Sequence, residues 1–178
     1  VQAAIAHPEV KILNCSLNTS HRYIRTYYAR MYEAKFLMGA IAGAMAENGQ
    51  LAYIADYPIF GTIANINAFA LGAKMVNPRA QIYLEWSTLK DVDLGIAMDN
   101  VIKKGVTVVS GQDMVMPEDA SRYFGLYHIE KEGPRNLAMP LWHWGKFYEQ
   151  LIRTIMDGTW KYDDNKDEKK AINYWWGL

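Results

Sequence analysis

The chain has 178 residues, which is enough to bury a substantial core in one domain or in two small lobes. Its 19 basic residues balance its 19 acidic residues, so the composition gives no electrostatic reason to expect binding to nucleic acid or to an anionic membrane. The single cysteine, Cys15, excludes an internal disulfide and a cysteine-based metal site, and its apolar neighbours predict that it is buried.

The first elements are two predicted strands, Val10–Leu17 and Tyr23–Tyr32, the second of which is rich in aromatic residues. A helix is predicted over Glu33–Glu47, where Asn48-Gly49 provides a stop signal. Small residues gather on one face of this helix and predict a close approach to a sheet. They are Gly39, Ala40, Gly43 and Ala44.

Three similar strand-and-helix units follow. Their predicted strands are Leu51–Ala55, Gln81–Trp86 and Val106–Val109. Their predicted helices run from about Thr62 to Ala73, from about Leu89 to Lys104 behind a Thr88-x-x-Asp91 capping box, and onward from about Pro117.

The last third of the chain begins with a predicted strand at Tyr123–Ile129 and a charged turn. An amphipathic helix starts near Trp144 and ends at Gly158, and the charged segment 161–170 is expected to be a solvated loop. The residues AINYWW resemble the opening of another strand. Repeated strand-and-helix units of this length predict an α/β fold in which a parallel sheet lies between two helical layers.

The loops that follow the strands carry the polar and aromatic residues of interest. In an open parallel sheet, ligands bind beyond the carboxyl ends of the strands, so the loops after Ala55, Trp86, Val109 and Ile129 are expected at one edge. Aromatic faces and amide or carboxylate groups in such loops suit a small-molecule cleft. The residues concerned are Asp56, Tyr57, Pro58, Phe60, Ser87, Thr88, Gly111, Gln112, Asp113, His128 and Glu130.

Catalytic and cofactor motifs are missing from the sequence. The serines lack a G-x-S-x-G elbow, and neither a P-loop nor a G-x-G-x-x-G pattern occurs. The four histidines show no metal-ligand spacing such as H-E-x-x-H. We therefore expect a binding protein without a cofactor or metal rather than an enzyme.

The run from Tyr32 to Trp86 resembles the basic membrane protein family of bacterial solute-binding lipoproteins, the purine nucleoside receptor type that serves ABC transporters. Order and spacing carry the resemblance, which extends from about Val10 to Trp160. The matching positions are Glu33, Phe36, Leu37, Gly39, Ala42, Pro58, Phe69, Gly72, Ala73, Asn77, Pro78, Trp86 and Gly105 before VTVVSGQD.

The resemblance implies a periplasmic-binding-protein type I fold, in which two lobes close on a ligand by a hinge motion. Residues 1–32 would be the tail of the first lobe, 33–139 the second lobe, and 140–178 a return crossover with a helix and a charged loop. Because the chain begins at Val1 without methionine, we expect a fragment, with most of the first lobe and a lipid-bearing cysteine upstream. The implied partners are a nucleoside-like ligand, an ABC transporter permease and, through the lipid, the outer face of the cell membrane.

By the same resemblance, the loops at 57–60 and 111–113 would line the second lobe's side of the cleft, and Asp113→Ala should weaken binding without changing the fold. Weaker candidates are the tryptophans Trp86 and Trp142. At Tyr127 the family tends to place an aspartate that reaches the ligand's sugar, so this chain departs from the pattern there. Two alternatives stay open, a ligand-sensing domain of a transcription regulator and an enzyme on the same kind of sheet.

Overall fold

The computed structural model describes residues 1–15, 23–113, 125–160 and 174–177. Within those ranges, no helix combines the length and the apolar character that crossing a membrane requires. In chain order the elements are α1 (Gln2–Ala6), β1 (Ile12–Cys15), β2 (Ile24–Ala29), α2 (Met31–Met45), β3 (Gln50–Ala55), α3 (Phe60–Val76), β4 (Gln81–Trp86), α4 (Leu94–Lys103), β5 (Val108–Ser110), β6 (Leu126–Glu130), β7 (Gly133–Ala138), α5 (Trp144–Met156) and β8 (Tyr174–Trp176).

The chain divides into two compact units. The first unit consists of Val1–Arg30 together with Leu141–Leu178, and the second unit is Met31–Pro140. The helix predicted from Pro117 and the charged segment 161–170 lie outside the described residues.

The first unit is a three-stranded parallel sheet in the order β1-β2-β8 with α5 packed on it through aromatic rings. Tyr27 of β2 stacks on Phe147 of α5 at a centroid distance of 4.9 Å, and its hydroxyl shares a 2.7 Å hydrogen bond with that of Tyr148. Such aromatic pairs stabilise packing beyond the area that they bury. Cys15, at the end of β1, is exposed, so the prediction that it is buried is wrong.

The second unit contains a five-stranded sheet in the order β4-β3-β5-β6-β7. The strands β3, β4 and β5 are parallel, as predicted, whereas β6 runs antiparallel to β5 and β7 antiparallel to β6. The predicted charged turn lies within the hairpin that joins β6 to β7. The second strand of this hairpin begins at Gly133, which has φ of 121°. The loop after Ile129 consequently lies at the opposite edge of the sheet from the loops after β3, β4 and β5, and its expected place in the cleft is wrong.

Helices cover both faces of this sheet, which gives the three layers predicted from the sequence. Leu51, Tyr53 and Val108 pack with residues of α2 and α3 on one face. Ala52 and Val109 pack against α4 on the other face, because successive strand residues point to opposite sides. Burial of these apolar residues supplies the main favourable term in folding.

Helices α2 and α3 cross with almost no space between their backbones. A methyl group added at Gly39 would overlap the carbonyl oxygen of Phe69, and one added at Gly72 would overlap that of Phe36. The small face of α2 was expected to lie on a sheet, but its glycines instead meet another helix. Each glycine is needed for its missing side chain rather than for an unusual backbone angle.

Helix α4 begins later than predicted. Asp93 is its N-cap and accepts a 2.8 Å hydrogen bond from the backbone N–H of Ile96. Asp91, part of the predicted capping box, has φ of 62° and cannot belong to a right-handed helix, so that capping box does not form.

Candidate functional site

The three parallel strands of the second unit end side by side, and hydrogen bonds join the loops that follow them. We call the loops 56–59, 87–93 and 111–113 the carboxyl-edge site. Ser87 Oγ donates to the carbonyl oxygen of Ala55 at 3.2 Å and accepts from Gln112 Nε2 at 2.6 Å. The Asp113 backbone N–H donates to Asp56 Oδ2 at 3.1 Å, and the Thr88 hydroxyl donates to the Asp56 carbonyl. The three loops are thereby fixed relative to one another.

The carboxylate of Asp113 is held inside the second unit. The Lys35 ammonium lies 2.5 Å from Oδ1, and both side chains are buried, with exposed fractions of 0% and 8%. Tyr53 donates its hydroxyl to Oδ2 at 2.7 Å, and Asn65 Nδ2 donates to the same oxygen at 3.0 Å. A buried charge needs such partners because water is excluded. Both carboxylate oxygens are therefore engaged by residues of α2, β3 and α3, and Asp113 anchors its loop to the core.

Two further features follow from the burial of this cluster. Burial, and after it the negative charge of Asp113, raises the pKa of Tyr53 far above that of a free tyrosine, so its hydroxyl stays protonated and keeps its hydrogen bond to Asp113 throughout the physiological pH range. Lys35 also lies 3.4 Å from the hydroxyl of Ser110, at the end of β5. The cluster thus connects α2 to the last residue of β5, directly before the loop 111–113.

The loop after β3 presents aromatic side chains to solvent. Tyr57 is 54% exposed, and Phe60, the first residue of α3, is 72% exposed. Pro58 between them is also exposed. Large exposed apolar groups beside a polar rim are typical of ligand-binding surfaces.

The remaining predicted site residues are less accessible. Gly111 and Tyr127 are buried, and Tyr127 lies opposite Val109 on β6, where burial raises the pKa of its hydroxyl. Trp86 is half-buried and packs against the core of the second unit. Trp142 is 40% exposed and belongs to the first unit.

Sequence reasoning missed the role of Lys35 and Asn65. A signal for Lys35 was present, because it lies four and seven residues before Gly39 and Ala42 and therefore shares their buried face of α2. A lone charge on such a face needs a buried partner. No comparable pattern marks Asn65. Across the described ranges, no three His, Cys, Asp or Glu side chains come together as metal ligands would.

The family model for PnrA-like ABC transporter substrate-binding proteins matches residues 11–116, more than half of the chain. The chain belongs to this family. This confirms the resemblance that the sequence analysis drew from the spacing of residues between Tyr32 and Trp86.

Two curated relatives are similar over much of the chain. One, from Haloferax volcanii, bears the name of an ABC transporter glucose-binding protein, TsgA13, and is 30% identical over 77% of this chain and 38% of its own length. The other, the purine-binding protein BAB2_0673 of Brucella abortus, is 27% identical over 100% of this chain and 51% of its own length. The chain spans about half the length of these relatives or less.

Solved structures show the same fold at low sequence identity. An ABC transporter solute-binding protein from Conexibacter woesei superposes with a TM-score of 0.52 at 13% identity, over 90% of this chain and 58% of that one. A transcriptional activator of the comK gene from Bacillus halodurans superposes with a TM-score of 0.61 at 12% identity, over 99% of this chain and 62% of that one. Such similarity supports the periplasmic-binding-protein type of fold and does not separate transport from regulation.

Proposed function

We propose that this chain is part of an extracytoplasmic solute-binding protein that delivers a nucleoside-like small molecule to the permease of an ABC transporter. A lipid attached outside this chain would hold the protein at the membrane. The proposal rests on membership of a substrate-binding family. Its purine ligand class draws on one relative's name, and the sugar-binding name of the other keeps sugars among the ligands to be tested.

The observation that carries the proposal is the carboxyl-edge site itself. It combines exposed aromatic rings at Tyr57 and Phe60 with amide and hydroxyl groups at Gln112 and Ser87. A flat heterocycle can stack on the rings while its polar edge bonds to the amide, which is the division of labour found in many small-molecule sites. Hydrogen bonds hold Gln112 and Ser87 in place before a ligand arrives, which lowers the entropic cost of binding.

Asp113 has a different place in this proposal from the one that its sequence position implied. Since Oδ1 of Asp113 is ion-paired with Lys35, and Oδ2 accepts from Tyr53 and Asn65, we propose that Asp113 orients the loop that carries Gln112. Direct contact with the ligand would then come from Tyr57, Pro58, Phe60 and Gln112, with Gly111, Trp86 and Tyr127 shaping the wall behind them.

A thermal-shift screen of the full-length gene product against purine bases, purine nucleosides, glucose and ribose tests this proposal. A ligand at 100 times its dissociation constant should stabilise the native state by about 2.7 kcal/mol, which raises the melting temperature by several degrees. A shift with purines or their nucleosides supports the proposal, and a shift with glucose alone changes the ligand class. If none of the compounds shifts the melting temperature, the proposed ligand class is wrong.

The screen is repeated on two variants, each of which removes one exposed apolar side chain from α3. Phe60 and Leu71 both lie on α3 and are 72% and 66% exposed, but Leu71 is three turns away from the carboxyl edge. Phe60→Ala should reduce the ligand-induced shift, and Leu71→Ala should leave it unchanged. Equal shifts in the two variants would remove Phe60 from the site.

A further inference from the structure

The outer sides of α2 and α3 expose large apolar side chains to solvent. Leu37 and Ile41 lie one turn apart on α2, and Leu71 and Met75 lie one turn apart on α3. Leu71 and Met75 are 66% and 62% exposed, so most of each side chain is in contact with water. Single exposed apolar residues are ordinary on a protein surface, but a contiguous group of them indicates an interaction surface.

The packing of the two helices places these side chains on one continuous surface. Both helices pack on the same face of the five-stranded sheet, so their outer sides both point away from it. Gly39 and Gly72 bring the two backbones into contact, which leaves little space between the two rows of apolar side chains. By helical spacing, small residues lie between the rows. The resulting surface, which we call the outer helix face, consists of Leu37, Ala40, Ile41, Ala44, Ala68, Leu71 and Met75.

The absence of charge from this surface favours a second copy of the chain as its partner. The sequence contains no Asp, Glu, Lys or Arg between residues 36 and 46 or between residues 60 and 73. In a two-fold symmetric contact the same surface is used twice, so charges near the axis would face like charges. A partner of different sequence is usually met with complementary charges instead. We propose that the outer helix face binds the same face of a second copy, which makes the protein a symmetric dimer.

The area of the outer helix face determines how strong such a dimer is. The exposed parts of its side chains amount to about 500 Å², within the range of about 300–600 Å² that the largest apolar patch of a typical monomer covers. Two copies would therefore bury about 1,000 Å² in total, which is close to the lower limit for a specific interface. We expect a reversible dimer with a dissociation constant of about 1–100 μM rather than a permanent one.

Sedimentation velocity of the full-length gene product tests the inference, and it does not depend on which solute the carboxyl-edge site accepts. Over protein concentrations of about 1 to 500 μM, we expect the sedimentation coefficient to rise from that of a monomer to that of a dimer. Since salt screens charges and does not weaken apolar contacts, about 0.5 M sodium chloride should leave the dimer intact. A monomer at every concentration, or a dimer that salt dissociates, would overturn the inference.

Two charged variants show whether the outer helix face forms the contact. Leu71 is exposed, so Leu71→Glu should fold, and it should weaken the dimer by about a hundredfold or more because each dimer contains the new charge twice. Ile102→Glu places the same charge on α4, at a 44% exposed position on the other side of the sheet, and should leave the dimer unchanged. Equal dissociation constants in the two variants would overturn the inference.

Urea denaturation of the same variants identifies a different occupant of the surface. If another part of the full-length chain covers the outer helix face, the wild type stays a monomer and Leu71→Glu lowers the free energy of unfolding much more than Ile102→Glu does. That result would overturn the dimer and assign the face to a contact within one molecule. In the proposed dimer, both variants should unfold at similar urea concentrations when the protein is dilute enough to be monomeric.

Discussion

Replacing Lys35 by methionine should destabilise the second unit by about 3 kcal/mol, because the change leaves the Asp113 carboxylate buried without its cation. At the observed separation of 2.5 Å, the attraction between the two charges is about 7 kcal/mol for an effective dielectric constant of about 20. Desolvation of both groups offsets most of this attraction in the intact protein. Removal of one partner leaves the desolvation cost of the other, for which about 3–5 kcal/mol is typical.

The lower end of that range applies here, because Tyr53 and Asn65 still donate to Asp113 in the variant. Urea denaturation followed by circular dichroism measures the effect. With a denaturant slope of about 2 kcal/mol per molar, a loss of about 3 kcal/mol lowers the midpoint by about 1.5 M.

Lys104→Met is the matched control. Lys104 pairs with Glu85 at 2.9 Å, but its side chain is 43% exposed, and such surface pairs contribute less than about 1 kcal/mol. Combining Lys35→Met with Asp113→Asn should cost less than the sum of the two single changes, since the residues interact directly. If Lys35→Met shifts the midpoint no more than Lys104→Met does, the buried pair does not anchor the loop 111–113.

Three further predictions concern the close contact between α2 and α3, a control glycine on α5, and the titration of Tyr53. Gly39→Ala and Gly72→Ala should each cost about 1–3 kcal/mol or more in unfolding free energy, because a methyl group at either position meets a backbone carbonyl of the facing helix. Gly145 lies on α5, where nothing is within 4 Å of an added methyl group. Gly145→Ala should therefore leave the unfolding free energy unchanged or raise it by up to about 1 kcal/mol. A loss as large as that at Gly39 would argue against the backbone overlap between α2 and α3 as the cause. The pKa of Tyr53 is raised in the folded state above the ordinary value of 10.0, so the unfolded chain releases this proton first as the pH rises. The free energy of unfolding should therefore fall as the pH rises above about 10. Tyr53→Phe should reduce the slope of the urea midpoint plotted against pH. An unchanged slope would contradict the assigned pKa shift.

The alternation of strands and helices was readable because its signals are local. β3 and β4 lie within one residue of their predicted positions, since a short apolar run bounded by turn residues specifies a buried strand. The direction of β6 was not readable in the same way. Parallel and antiparallel strands have similar compositions, so the residues of the predicted strand did not show that β6 runs antiparallel to β5.

The meeting of the three loops was predictable from the sequence, but the hydrogen bonds and ion pair within them were not. The loops after β3, β4 and β5 meet as expected, because the ends of neighbouring parallel strands must lie at one edge. The pairing of Asp113 with Lys35 joins residues 78 positions apart, and no local pattern encodes such a contact. Because of this buried pair, Asp113→Ala should reduce the free energy of unfolding as well as ligand binding, whereas the sequence predicted an effect on binding alone.

We propose above all that the carboxyl-edge site of the second unit binds a small solute. Isothermal titration of the full-length gene product with the purine or nucleoside that gives the largest thermal shift tests it most directly, in the wild type, Phe60→Ala and Leu71→Ala. We expect Phe60→Ala to weaken binding by about tenfold or more, in line with the roughly 1–3 kcal/mol of one aromatic stacking contact, and Leu71→Ala to bind as the wild type does. Wild-type affinity in Phe60→Ala, with ligand still bound, would contradict the claim and move the solute site away from this edge.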